Sequence, residues 1–149
     1  MSPLKLSSAE ITTMVYPTEL EDRVRSILIF LSGENGDIAE ERFSSHYGYS
    51  FKVLTVRVDW EAAENLFRVL ICSLPDYDLE LLLRTLQSRM EGRHLYLRLD
   101  KQELVDGRHT LYSGGPGGYV RIKFTFSKKI SDLESMIRET RKTCRSTST

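Results

Sequence analysis

Six side chains at strand-like spacing carry the clearest chemistry in this sequence. Tyr96 and Arg98 alternate with Leu95, Leu97 and Leu99. Tyr119, Arg121 and Lys123 alternate with Val120, Ile122 and Phe124. Residues two apart on a strand share a face, so each run sets an apolar side against a side of rings and cations. Arg57, between Val56 and Val58, adds a cation from an earlier run. Bases stack on aromatic rings for about 1–3 kcal/mol each, and Arg and Lys neutralise phosphates. Two rings and four cations on an open sheet face therefore suit single-stranded nucleic acid. The same face equally suits a protein partner or a second copy of the chain, because Tyr and Arg are enriched in interfaces. Exposed strands also favour Tyr and Thr with no ligand at all.

Other chemistries find little support. His46, His94 and His109 form no close pair with each other or with a cysteine, so no metal site is expected. Gly114-Gly115-Pro116-Gly117-Gly118 lacks the Lys-Ser/Thr ending of a phosphate loop and reads as a hairpin connection. There is no G-x-S-x-G elbow, dinucleotide fingerprint or H-E-x-x-H. Asp100 and Lys101 are adjacent, but neighbours on a strand point to opposite faces and make no ready dyad. The expectation is a non-catalytic protein without a cofactor.

The elements that must position these residues follow from periodicity. Ile11 to Tyr16 is a short strand ended by Pro17. Thr18 with Glu21 reads as a capping box opening a helix with Leu20, Val24, Ile27, Leu28 and Leu31 as its stripe, closed by Gly33 and Gly36. Glu40 to Trp60 reads as extended, broken near Tyr47-Gly48-Tyr49, with Leu54, Val56, Val58 and Trp60 on one side. Asp59 or Glu61 opens a second helix, stopped by Pro75. Asp76 caps a third, which ends at Gly92. Strands over 95–100, 109–112 and 119–126 follow. Ser131 with Glu134 caps a last helix, frayed after Lys142.

The order is β-α-β-α-α-β-β-β-α. That predicts an α+β domain, a single antiparallel-dominated sheet with helices on one face and the other face open. Its ordered core is expected over residues 10–142. The 149 residues fit one domain. No apolar run reaches the roughly 20 residues needed to span a bilayer, and the first ten residues hold no signal-peptide stretch. Cys72 lies in an apolar helical pattern and Cys144 in a polar tail, so no bridge is expected and the setting reads as reducing and cytoplasmic. The 21 basic and 21 acidic residues cancel. They are segregated, however. The net charge is −4 over residues 1–50, −1 over 51–118 and +5 over 119–149. The basic end is either a solvated helix or a patch for an anionic partner.

Two stretches carry a family resemblance. Ser45-His46-Tyr47-Gly48 precedes a strand, and Leu95-Tyr96-Leu97-Arg98-Leu99-Asp100-Lys101-Gln102 forms one and runs past its end. With the helices between them they resemble an archaeal family of predicted RNA-binding or exosome-subunit proteins. Its fold is similar to that of the large-subunit ribosomal protein that binds five-S rRNA. The resemblance spans roughly residues 10–142. It implies RNA as the partner, with exosome components as further partners. It singles out His46, Tyr47, Gly48 and Asp100 as motif positions, and Lys101 and Gln102 as contacts to phosphate and to a base edge or backbone. Alternatively Asp100, Lys101 and Gln102 tie a strand end to its neighbours. Tyr49 and Ser50 stand where the family tends to carry Asn and Pro, and Glu103 and Leu104 where small residues are common.

Overall fold

The period-two runs become the central strands of one six-stranded antiparallel sheet, ordered β2-β3-β1-β6-β5-β4. The computed structural model describes residues 5–33 and 36–147. The strands are β1 (Leu6–Val15), β2 (Ile38–Ser44), β3 (Ser50–Val58), β4 (Met90–Glu91), β5 (His94–Asp100) and β6 (Tyr119–Phe126). The helices are α1 (Glu21–Ser32), α2 (Trp60–Ser73), α3 (Asp76–Arg84), α4 (Leu86–Arg89), α5 (Lys101–Val105) and α6 (Leu133–Thr147).

The inner face carries Ile11, Leu54, Val56, Leu95, Leu97, Val120, Ile122 and Phe124, all essentially inaccessible to solvent. Each such side chain contributes about 1.5–3 kcal/mol through burial. The stripes of α1, α2 and α3 meet this face in one cluster. Phe67 of α2 meets Phe124 and Phe126 edge-on, at centroid distances of 5.3 and 6.2 Å. Helix α6 packs on α2 and buries Leu133 and Ile137. This is the α+β, helix-backed sheet that alternation predicts.

Several local readings are corrected. The segment 40–60 is a hairpin, not one broken strand. Strand β2 pairs with β3 from Ile38↔Val56 to Ser44↔Ser50, and the break at 47–49 is its turn. The Ser45 N–H donates to the Tyr49 carbonyl (2.8 Å) across that turn. Gly48 has φ +83°, where a side chain would be strained. The extended reading from Glu40 covers most of β2, but nearly all its residues are exposed, so no alternation marks it as a separate strand. Trp60 is the first residue of α2 and half exposed. Gly92 does not close a helix but turns the chain between β4 and β5.

The helix starts also shift. Thr18 does not cap α1. Leu20 is the N-cap, with no side-chain cap, while Glu19 accepts from the Tyr16 N–H (2.9 Å). Asp132, not Ser131, caps α6 by accepting from the Ser135 N–H (3.1 Å). Asp76 is the first residue of α3, after Pro75 at the cap position. Asp59 does cap α2 as expected. Residues 109–112 contribute only a bridge, Leu99↔Leu111. The glycine run therefore returns the chain to β6 rather than closing a hairpin. Helix α6 continues past Lys142, and β1 begins at Leu6.

Cys72 and Cys144 form a disulfide, with Cα atoms 6.0 Å apart. The expectation of unbridged cysteines fails because Cys144 is not in a tail. Packing of α6 on α2 brings it over Cys72. The same contact holds Arg141, whose guanidinium donates to the Ile71 and Leu74 carbonyls and to Asp76 (2.6–2.7 Å). Among the described residues, no helix is long and apolar enough to cross a membrane.

Candidate nucleic-acid interface

Strand register builds the outer face as rows across the sheet. Phe43 and Phe51 form the row at the hairpin end, their rings stacked at 5.4 Å. Met14 lies beside Val53 in the next, and Tyr119 beside Asp100. The third runs Thr55, Thr12, Arg121, Arg98, and the fourth Arg57, Glu10, Lys123, Tyr96. Ser8, Thr125 and His94 close the set. Over β5 and β6 the side chains of this face are half-buried (Tyr96, Arg121, Lys123) or exposed (Arg98, Tyr119).

The third row holds an uncommon pairing. Arg98 and Arg121 are direct cross-strand partners, and like charges so placed destabilise a sheet. Two diagonal contacts offset part of the cost. The Arg98 guanidinium lies over the Tyr119 ring (4.8 Å) and that of Arg121 over the Tyr96 ring (5.6 Å). Such contacts are worth about 0.5–1 kcal/mol at exposed sites. The aromatic strip extends at both ends. Tyr112 packs against Tyr119 (5.2 Å), and His94 lies 6.3 Å from Tyr96. His94 is oriented by a 2.9 Å hydrogen bond between its Nδ1 and Thr125 Oγ1.

Arg89 of α4 adds a third guanidinium. Its pKa is lowered first by burial and then by the charge of Arg98. Among the described residues Arg98 makes no ion pair. Arg121 has a carboxylate only at 3.8 Å, that of Glu10. Glu10 is held more tightly by Arg57 (2.7 Å). The Arg57 hydrogen bond, above all, holds its carboxyl below the usual range. The strip is thus net positive over β5 and β6 and neutralised toward β1 and β3.

The sequence-derived residues separate into two groups. Tyr96, Arg98, Tyr119, Arg121 and Lys123 share one patch, and Arg57 lies on the same face but is paired with Glu10. Lys101 lies elsewhere. It is 4% exposed, and its ammonium donates to the Met14 carbonyl (2.7 Å) and to both Glu19 carboxylate oxygens (3.0 and 3.1 Å). It also sits over the Tyr16 ring at 4.9 Å. Lys101 therefore ties the end of β1 to the start of α5 and has no free donor face for a phosphate. Asp100 caps α5, accepting from the Glu103 N–H (3.0 Å). Gln102 is exposed beside Gly117. His46, Tyr47 and Gly48 sit at the β2–β3 turn, at the same end of the sheet but beyond β1 and β6.

Glu10, Arg89, His94 and Tyr112 were missed. Glu10 falls just before the segment whose alternation was legible. Arg89 sits on a helix, and only tertiary packing brings it to Arg98. A cavity of about 800 Å³ lies away from the sheet between α2 and α6. Val69, Met136 and the disulfide line it, with Arg68 and Glu139 as its ionisable groups. Among the described residues no cluster of metal-ligating side chains occurs.

Fold and site together define an open-faced, helix-backed α+β sheet protein with a cationic, aromatic outer surface. The chain belongs to the family described as RNA binding, whose model matches residues 8–126. An uncharacterized protein of Methanocaldococcus jannaschii is 28% identical over 130 residues, covering 81% of this chain and 85% of its own. A crystal structure from Sulfolobus solfataricus, labelled DUF54, superposes with a TM-score of 0.77 at 23% identity, covering 92% of this chain and 98% of the other. A second DUF54 crystal structure, from Archaeoglobus fulgidus, gives 0.71 at 25% identity over 94% and 100% of the two chains.

Proposed function

We propose that this protein binds single-stranded RNA, without catalysis, through the outer face of β5 and β6. The observation that carries the reading is the Arg98–Arg121 cross-strand pair. A like-charge pair weakens the sheet in isolation. A phosphate between the two guanidiniums removes the repulsion and gains charge-assisted hydrogen bonds. Tyr96 and Tyr119 flank the pair diagonally, each with a guanidinium over its ring, and bases would stack on these ring–guanidinium units. Membership of an RNA-binding family supports RNA over other polyanions.

Fluorescence anisotropy with labelled single- and double-stranded RNA tests the proposal. The single strand should bind in low salt, and replacing Arg98, Arg121 and Lys123 together by Ala should abolish binding. Absence of binding, or binding indifferent to the triple substitution, would sink it. An accessory role in RNA processing or exosome-linked decay extends the reading. Co-purification of exosome components, lost in the triple variant, is the test of that extension.

A second reading, a homodimer, is favoured by β2. This strand lies at the edge of the sheet with one side of its backbone unpaired, the arrangement through which sheets join. Light scattering showing a monomer across the micromolar range would remove it.

A further inference from the structure

The β2–β3 hairpin carries rings that neither the core nor the Arg98–Arg121 patch uses. Phe43, Tyr47 and Tyr49 are 42%, 87% and 63% exposed, and Phe51, half buried, stacks on Phe43. Nearly all of the arm from Ala39 to Ser50 is exposed. These rings therefore add little to folding, since apolar side chains stabilise a fold through the area they bury. Clustered exposed apolar side chains mark contact surfaces.

The charge around the rings selects the partner. From Arg42 to Lys52 the chain has no Asp or Glu, although residues 1–50 as a whole carry a net charge of −4. Arg42 is largely exposed, its nearest carboxylate being Glu40 at 3.5 Å. From Arg42 to the turn the arm presents rings and no carboxylate. Glu41, beside Val53, marks the limit of that stretch on the outer face, and Arg42 lies on the opposite face beside Lys52. Phe43 and Phe51 also lie on the outer face, the face of Tyr119 and Arg121. Strands stand about 4.8 Å apart, so β3 and β2 lie roughly 10 and 15 Å from β6. A short run of nucleotides spans that gap.

We infer that the hairpin arm is a second contact for RNA, stacking unpaired bases of the strand whose phosphates lie between Arg98 and Arg121. This rests on the RNA reading above, and it adds a length requirement. A short oligonucleotide fills the cationic patch alone, and a longer one reaches the arm. Base stacking is sequence-tolerant, so the arm lengthens the footprint rather than reading sequence.

The test compares a tetramer and a decamer of oligouridine by anisotropy. It uses the full chain, a Tyr47→Ala/Tyr49→Ala double variant and a Phe43→Ala variant, with thermal melts to confirm folding. The tyrosine pair lies in an exposed turn, so this variant keeps the test valid if Phe43→Ala fails to fold. The unaltered protein should bind the decamer at least about tenfold more tightly than the tetramer. The double variant should lose most of that gain and keep its tetramer affinity. Equal decamer affinity in the double variant and the unaltered protein would overturn the arm while leaving the patch intact. Failure of the unaltered protein to bind either oligomer would overturn the RNA reading and the arm with it. A change of oligomeric state in the arm variants, with RNA binding unmoved, would reassign the arm to a contact between copies.

Discussion

Lys101 and Arg98 stand three residues apart and end in opposite electrostatic situations. At the end of the sheet, Lys101 is buried and meets two carboxylate oxygens and a carbonyl. On the helix-backed side, Lys52 and Arg25 likewise share Glu21 and Glu40, and Arg141 is locked to α3. On the open side, Arg98 faces another arginine. A compensated charge belongs to the fold, because removing one partner strands the other. An uncompensated one gives the fold little, which is why Arg98 is proposed to serve a ligand. Charge type alone does not separate the two classes, and both were singled out from the sequence as RNA contacts.

The comparison can be broken most forcefully at Lys101. Lys101→Met should strand Glu19 and the Met14 carbonyl and cost about 3–5 kcal/mol, read from urea denaturation. The affinity of the remaining folded protein for RNA should hardly change. A second large effect concerns the disulfide on the backed side. Reduction, or Cys72→Ser, should lower stability by about 2–4 kcal/mol without altering RNA affinity. Equal melting of the oxidised and reduced forms would show that the bridge contributes nothing.

A smaller change has the opposite sign. Arg98→Glu replaces a like-charge pair with an opposite one across β5 and β6. It should raise stability by about 0.2–1 kcal/mol while weakening RNA binding more than tenfold. Lost stability would mean that Arg98 is structural. The smallest effect belongs to Glu10, whose carboxyl is held below its ordinary value of 4.5 by the Arg57 hydrogen bond. Because the folded pKa lies below the unfolded one, the pair's contribution is complete above about pH 4.5 and is lost as the pH falls through the folded value. For so exposed a pair it is at most about 1 kcal/mol. Denaturation curves of Glu10→Gln and the unaltered protein should differ near neutral pH and converge in acid.

Alternation in β5 and β6 made the two faces readable directly, because both strands are half buried from end to end. Parity fails at Asp100, where the chain enters α5, and so the fate of Lys101 was hidden. The Arg98–Arg121 pair needs the register between two strands, which neither run carries alone. Strand β2 is exposed on both its sides, so its two faces do not differ in polarity and nothing alternates. The bridge between Cys72 and Cys144 depends on how α6 crosses α2, and each helix pattern reports only its own stripe.

The central claim is that the arginine pair and Lys123 are phosphate contacts, and the salt dependence of RNA affinity tests it most directly. For single strands, log affinity falls with log salt by about 0.7 for each phosphate neutralised. Replacing Arg98, Arg121 and Lys123 by Ala should therefore flatten the slope by about 2. A triple variant that retains the slope of the unaltered protein would place the phosphates elsewhere and contradict the account.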